Sequence, residues 1–282
     1  MTRSSEATGP DAVVGDAPEV LTMGRSGVDL YPLQSGVGLE DVTSFGKFLG
    51  GSPTNVAVAA RRLGHPSAVV TGVGGDPFGR FVRSELRRFG VDDRHVVTFE
   101  DLVTPVTFCE LFPPHDFPLW FHRPPGSTPD LLLEPASLDP ATVRGARLLW
   151  LSATGLSTDA SRATHLAALE LRDGVGTTVL DLDHRPSFWP DEATARERVR
   201  AVLPRVDIAV GNAEECRVAV GETDPDAAAA ALLATGVSVA VVKLGPEGVL
   251  ARSADERVVV PATRVPVVNG LGAGDAFGGA LC

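Results

Sequence analysis

The sequence predicts an α/β fold: a doubly wound, mostly parallel sheet with helices on both faces, plus a small β-sheet projecting from it as a lid. Three observations predict it. Short apolar runs at 20–24 and 67–71 alternate with glycine-ended helical stretches at 53–64 and 80–89, the strand–helix–strand–helix rhythm of a parallel sheet. The 282 residues are 44% hydrophobic and 22% charged, enough for a sizeable core, and 30 glycines with 22 prolines supply the turns a many-stranded sheet needs. Between Val103 and Arg123 the pattern changes to an aromatic-rich hairpin, which does not belong to that rhythm.

The formal charge is −11 with no Lys/Arg-rich block, which argues against nucleic acid or an anionic membrane as partner. An anionic ligand must then be met locally, by helix N-termini, a few Arg and Lys residues, or a bound cation. Cys109, Cys216 and Cys282 are scattered and odd in number, so a disulfide framework is not expected and a cytoplasmic setting is. Residues 1–19 are polar and lack the apolar centre of a signal peptide; they read as a disordered tail ahead of a folded domain over 20–282. The apolar runs at 227–234 and 237–242 are too short to span a bilayer. There is no internal repeat and no His cluster with zinc-ligand spacing.

In chain order, 20–24 reads as a first buried strand with Asp29 following at its C-terminal end. Ligands gather at that edge of open α/β sheets, so Asp29 either hydrogen-bonds a polar ligand or caps a turn. Residues 34–49 carry no helical period, and alternation over 42–47 suggests a short half-exposed strand. Gly50 and Gly51 precede the helix over 53–64, with Pro53 in its first turn and Gly64 as its stop. Gly51 and Asn55 either present backbone N–H groups and an amide to a ligand or form an ordinary tight turn. Residues 105–112 and 117–123, joined by Pro113, Pro114, His115 and Asp116, read as the hairpin. Paired with the strand near 42–48 it makes the lid, placed near 34–49 and 103–123. Such a flap covers a ligand, or serves as an edge extension or dimer contact; a homodimer through the lid satisfies both.

A strand over 147–152 and a helix over 159–172 lead to a strand over 177–183, which brings Arg185 to the same sheet edge. A planar fork there grips a carboxylate at two points or makes a surface salt bridge. The strand over 206–210 runs directly into Asn212 and Glu215 at a helix start. Those groups hold a hydrated Mg²⁺, which takes one or two carboxylates and several waters, or they cap the helix. A strand over 237–243 ends in Lys243, and Gly245 and Gly248 turn the chain into 249–251.

The stretch from Asn269 to Ala280 follows, with Gly270, Gly272, Ala273 and Gly274 leaving little bulk in front of Asp275. A glycine turn entering a helix N-terminus is an anion site, and an acid at its mouth is either a base beside bound phosphoryl or a capping aspartate. A dinucleotide fingerprint is excluded, because its last glycine position is Asp275. A Walker A loop is excluded because neither Lys47 nor Lys243 is followed by Ser or Thr.

Asp29, the Gly50-Gly51…Asn55 turn, the flap, Asn212-x-x-Glu215, Lys243-x-Gly245-x-x-Gly248 and Gly272-Ala273-Gly274-Asp275 occur in one order. From about Val20 onward the chain resembles the ribokinase-like (PfkB-type) carbohydrate kinase family. Within it, the stretches from Gly24 to Pro32, Phe45 to Ala57 and Thr104 to Glu110 are similar to 5-dehydro-2-deoxygluconokinases of myo-inositol catabolism. The run Asp181-x-Asp183-x-Arg185-Pro186…Trp189 is similar to those enzymes and to 2-keto-3-deoxygluconate kinases. The resemblance implies ATP-dependent phosphorylation of the terminal hydroxyl of 5-dehydro-2-deoxygluconate. Asp275 is then the general base, and backbone N–H groups of Gly272, Ala273 and Gly274 surround the transferring phosphoryl. Asn212 organises the ATP phosphates and Glu215 the Mg²⁺, while Lys243, Gly245 and Gly248 border the nucleotide. Asp29, Gly51, Asn55 and Arg185 bind the substrate, Arg185 taking its carboxylate.

Two departures accompany the resemblance. Gly270 stands where the family usually has Thr, Ser, Pro or Val, which implies a looser turn. Family members also continue past the equivalent of Cys282, so the resemblance implies a C-terminally truncated chain lacking part of the adenine pocket. The alternatives are a kinase for 2-keto-3-deoxygluconate or another sugar, and a truncated homologue that binds a metabolite without catalysis. A dehydrogenase ranks behind both.

Overall fold

The computed structural model describes residues 17–113, 116–123 and 128–282. The tail expected over 1–19 lies outside them as far as residue 16, as do Pro114 and His115 of the hairpin turn. Residues 17–19 belong to the folded body: the Glu19 carbonyl accepts from Leu148 N at 2.9 Å.

The elements run β1 (Val20–Met23), β2 (Gly27–Pro32), β3 (Phe45–Gly50), α1 (Ser52–Arg62), β4 (Ser67–Gly74), α2 (Pro77–Arg88), β5 (Val96–Phe99), β6 (Val106–Cys109) and β7 (Leu119–His122). Then come α3 (Pro140–Gly145), β8 (Leu148–Ser152), α4 (Asp159–Arg172), β9 (Thr177–Asp181), α5 (Glu192–Val202), β10 (Ile208–Asn212), α6 (Ala213–Val220) and α7 (Pro225–Leu233). The chain closes with β11 (Val239–Lys243), β12 (Val249–Arg252), β13 (Arg257–Val260) and α8 (Ala273–Leu281).

Among the described residues the main sheet has the order β13-β12-β11-β10-β9-β8-β1-β4-β5. It is parallel from β5 through β11, with β12 and β13 added antiparallel. Its central parallel strands β1, β4 and β8 are buried on both sides because both faces are covered there. Leu21, Leu149, Leu151 and Val242 face a core shared with α3 to α7, whereas Val20, Leu148, Trp150 and Val241 face α1 and α8. The predicted doubly wound, mostly parallel sheet is thus observed. The helix boundaries have local causes: Asp76 accepts from Gly79 N at 2.7 Å to start α2, and Thr158 accepts from Ser161 N at 3.3 Å to start α4.

The small sheet differs from expectation in its centre. Its order is β3-β2-β6-β7, so the hairpin of β6 and β7 joins β2, in parallel, instead of the strand near 42–48. β3 pairs with the other edge of β2, and residues 39–41 of the expected lid segment form a 3₁₀ turn. Asp29 therefore sits in a strand, not in a loop. The chain leaves β1 and enters β2 across only Gly24, Arg25 and Ser26, too short a link to be read as a change of sheet. No helix among the described residues is long and apolar enough to cross a membrane.

Candidate active site

From β1 the chain moves outward through β4 and β5, then returns to β8 on the opposite side of β1 and proceeds through β9 to β11. Such a reversal opens a crevice beyond the C-terminal strand ends. Here it is a cleft of about 900 Å³, bounded by those ends, the lid and the start of α8, and every residue singled out from the sequence lines it.

At one wall stands the glycine turn. Gly272 precedes α8 with φ 78°, a left-handed conformation that suits glycine. Ala276 N closes the first helical bond to Gly272 O at 2.8 Å, and Ala273 N points back to Gly270 O at a long 3.4 Å. Among the described residues the N–H groups of Gly272, Gly274 and Asp275 find no protein acceptor, as expected of a helix N-terminus facing a ligand site. Ala273 is the weaker donor of the predicted set because of its turn bond. Gly270 is explained by space: a Cβ there would come within 2.9 Å of the Phe117 ring.

Asp275 accepts a hydrogen bond from Asn55 Nδ2 at 2.9 Å. The contact depends on α1 and α8 packing closely, which small residues permit. A Cβ on Gly278 would lie 2.8 Å from Trp150, and one on Gly279 would collide with Ala59 and lie 2.8 Å from Ala60 N. Burial raises the Asp275 carboxyl above its ordinary range, against hydrogen bonds from Asn55 and Ser52.

The floor comes from parallel strand ends in register. Asn212 aligns with Lys243, and Asp181 aligns with Val210 one strand over. Asn212 Oδ1 accepts from Glu215 N at 2.9 Å while Glu215 Oε2 accepts from Asn212 N at 2.7 Å, a reciprocal capping box. Lys243 Nζ lies 3.2 Å from Glu215 Oε2 and 3.5 Å from Asp181 Oδ1. Burial opposes the Lys243 charge, yet the Asp181 and Glu215 carboxylates hold its ammonium above the usual lysine range. Burial likewise drives Asp181 upward, with Lys243 opposing. Gly245 and Gly248 have φ 58° and 106°, and a Cβ on Gly248 would lie 2.7 Å from Ala262 N, so this turn lets a second backbone approach the cleft.

The donor set bears on the predicted Mg²⁺. No cluster of three or more acidic, His or Cys groups that could cage a metal occurs among the described residues. One Glu215 oxygen is already shared by a backbone N–H and an ammonium. The residues fit a hydrated cation carried by phosphate oxygens and reached through water, not one ligated directly by Glu215.

The opposite end holds Asp29, Gly51 and Arg185. Gly51 has φ 101° and abuts the Arg25 carbonyl, leaving no room for a Cβ. Burial, with a further push from the Asp275 charge, moves Asp29 up to about 6 in spite of Arg25. Arg185 Nε lies 3.0 Å from Asp183 Oδ1, and 40% of the Arg185 side chain stays exposed. Sequence reasoning gave no role to four charged neighbours here, Arg25, Arg123, Asp181 and Asp183, although the two aspartates belong to the motif that ends in Arg185. Arg25 Nη2 donates to Asp183 Oδ2 at 2.9 Å, and Arg123 pairs with buried Asp130. Burial alone would raise Asp183, but the Arg25 and Arg185 guanidiniums prevail and hold it well below the usual carboxylate range. The strand-end rule that picked out Asp29 applies equally to Arg25, two residues beyond β1.

Comparisons with known proteins identify the family and the fold. Residues 17–282 match the family described as pfkB family carbohydrate kinase. The chain is 33% identical over 279 residues to 5-dehydro-2-deoxygluconokinase of Photobacterium profundum, covering 96% of this chain and 83% of that one. It is 31% identical over 271 residues to Fructokinase-1 of Oryza sativa subsp. japonica, covering 95% and 83%. A crystal structure of an uncharacterized sugar kinase from Pyrococcus horikoshii in complex with ATP superposes with a TM-score of 0.79 at 26% identity, covering 93% and 83%. The match of residues 17–282 to that family and the 33% identity across most of the chain place it in the pfkB family of carbohydrate kinases, as a sugar phosphotransferase.

Proposed function

We propose that the protein transfers the terminal phosphoryl group of ATP to the terminal hydroxyl of 5-dehydro-2-deoxygluconate. The observation that carries the sugar-acid assignment is Arg185. Its Nε lies 3.0 Å from Asp183 Oδ1, its side chain is 40% exposed and lines the cleft that holds Asp275, and among the described residues neither Nη1 nor Nη2 makes a hydrogen bond. A fork so placed suits a carboxylate. The 33% identical relative supports the same substrate, and the ATP complex of the Pyrococcus horikoshii kinase supports the donor. The three cysteines are free thiols, which suits the cytoplasmic setting that belongs to this reading.

In this reading Asp29, Gly51 and Asn55 hold the sugar, with its reacting hydroxyl against Asp275. Asn55 fixes which way that carboxylate faces. The hydroxyl oxygen forms its bond to the phosphorus as the bond to the leaving diphosphate breaks, and the hydroxyl proton passes to Asp275. The free N–H groups of Gly272 and Gly274 meet the charge on the phosphoryl oxygens, and such preorganised donors are typically worth about 10²–10³ in rate each. Lys243 adds a fixed positive charge, its Nζ 3.8 Å from where a Cβ on Gly274 would stand. Asn212 and the Gly245–Gly248 turn border the nucleotide. When bound, Mg²⁺ supplies charge neutralisation on the phosphates, held through water near Glu215.

The 31% identity to a fructokinase favours a second reading, a neutral ketose as acceptor. A panel of sugars and sugar acids with Mg-ATP and ADP detection decides. The expected kcat/KM for 5-dehydro-2-deoxygluconate exceeds that for fructose at least about tenfold, the discrimination one unpaired polar contact provides. Preference for fructose over every keto acid would overturn the assignment of Arg185.

A further inference from the structure

The proposed reaction gives no task to two cleft cations, Arg25 and Arg123; Arg123 is paired with Asp130, and Arg25 is the more deeply set. The residue is 5% exposed and follows β1 directly, where the strand order reverses. Its fork is held on one side: Nε donates to Thr154 Oγ1 at 3.1 Å and Nη2 to Asp183 Oδ2 at 2.9 Å. Its carbonyl accepts from Thr54 Oγ1 at 3.2 Å, so α1 fixes the main chain as well. The guanidinium carbon lies 5.1 Å from the Phe188 ring centre and 5.9 Å from that of Phe121. Among the described residues nothing hydrogen-bonds Nη1, although the side chain lines the cleft together with Asp29. With the residue 5% exposed Nη1 has little water to pair with, yet it is not sealed off and keeps some accessible surface.

The pairing pattern points the same way. Arg123 is matched by Asp130, whereas Asp183 is shared by Arg25 at 2.9 Å and Arg185 at 3.0 Å. One carboxylate shared by two guanidiniums leaves donor atoms of each fork unoccupied. Arg185, 40% exposed, meets the carboxylate from the more open side, where water weakens its discrimination without abolishing it. Arg25 is the more enclosed of the two. A buried donor left unpaired by the wrong ligand discriminates far more strongly, up to about 10⁴–10⁵-fold in favourable sites.

We infer that Arg25 is a specificity-determining residue: its free amino group takes an oxygen of the substrate carboxylate, so the site selects keto sugar acids over neutral sugars of the same length. The inference rests on the sugar-acid reading above and names the residue that enforces it. Because the fork is held by Thr154, Asp183 and two aromatic rings, it meets the carboxylate without reorganising.

The test compares wild type with Arg25→Gln and Arg25→Lys on a keto sugar acid and on fructose with Mg-ATP, alongside calorimetric binding of the acid alone. The acid-to-fructose ratio of kcat/KM is expected to fall about 100-fold in the Gln variant. It should fall about tenfold in the Lys variant, because an ammonium keeps the charge but cannot hold Asp183, Thr154 and a ligand together. The loss should lie mainly in KM for the acid, with a matching loss in its calorimetric affinity. An Arg25 that only props up Asp183 and Thr154 lowers both substrates together and leaves the ratio unmoved, which overturns the inference. Should the Gln variant not fold, the Lys variant decides by the same ratio. A wild type that prefers a different sugar acid removes the substrate assignment while the variants, read on that acid, still judge Arg25. A wild type that prefers fructose to every acid overturns both.

Discussion

Asp275 illustrates how much of this chemistry is set by neighbours distant in sequence. Asn55, 220 residues away, donates to it, and the Asp183 charge adds to the upward push of burial. A carboxyl raised in this way is a stronger base once ionised, which suits it to take a hydroxyl proton. Asp275→Asn is expected to lower kcat by about 10³-fold or more while ATP affinity by calorimetry changes little. Near-normal turnover in that variant would remove Asp275 as the base. Asp29 offers a test in pH. Its carboxyl titrates at about 6 in the folded chain against an ordinary 3.8, so the folded state binds its proton more tightly. Stability from this group is therefore present at low pH, declines as pH rises from about 4 to 6, and is absent above that. Asp29→Asn keeps the shape without the charge. It should melt about 5 °C higher than wild type at pH 8, with the difference shrinking toward zero near pH 4. A difference independent of pH would contradict this. Asp275 and Asp29 were legible because they sit in short glycine or strand-end patterns. Arg25 and Asp183 were not, since a lone Arg after a strand reads like any surface charge until its partner, 158 residues on, is brought beside it.

At the scale of elements, α1 packs closely against a helix far along the chain. The partner is α8, whose Gly278 and Gly279 meet Trp150, Ala59 and Ala60. Those contacts set the spacing that lets Asn55 reach Asp275. Gly279→Ala puts a methyl into Ala59, and overpacking of this kind typically costs about 1–3 kcal/mol. Because α8 must move to relieve it, kcat should fall by more than the stability loss alone explains, about tenfold in fully folded protein. Circular dichroism melts and turnover on one preparation separate the two effects, and a variant with lowered Tm but unchanged kcat would show that the helix spacing is not critical. The parallel strands were readable in the sequence. Each is an apolar run bounded by turn residues, and both faces need covering. The lid was readable only as a hairpin. Its pairing with β2 joins residues 78 positions apart, Val28 with Val106, and no local pattern distinguishes that partner from β3. The capping box at α6 shows the opposite case, where the plainer reading of Asn212 and Glu215 is structurally present and the ligand role has to coexist with it.

For the molecule as a whole, the question is how a four-stranded lid stays attached to the sheet that carries the chemistry. Asp130 is the joint. It accepts from Ser26 N at 3.2 Å, where β1 passes into β2, and it pairs with Arg123, which follows β7. One carboxylate therefore ties the lid's inner strand and its outer edge to the body. The pair is dry, with side chains 8% and 0% exposed, and burial already presses the Arg123 charge downward against the help of Asp130. Removing one member of such a pair leaves a buried charge without its partner, a loss of about 3–5 kcal/mol. Asp130→Asn should therefore lower Tm by at least about 6 °C and speed hydrogen exchange at β2 and β6 ahead of the β8–β10 strands. The sugar KM should rise more than the ATP KM, since the lid borders the end of the cleft that holds Asp29. The exposed Arg257–Asp226 pair, with side chains 51% and 48% exposed, serves as the contrast: Asp226→Asn should leave the melting temperature nearly unchanged. If Asp130→Asn proves as mild as Asp226→Asn, or if exchange quickens equally across the main sheet, the lid is held by its apolar root against α2 and not by this ion pair.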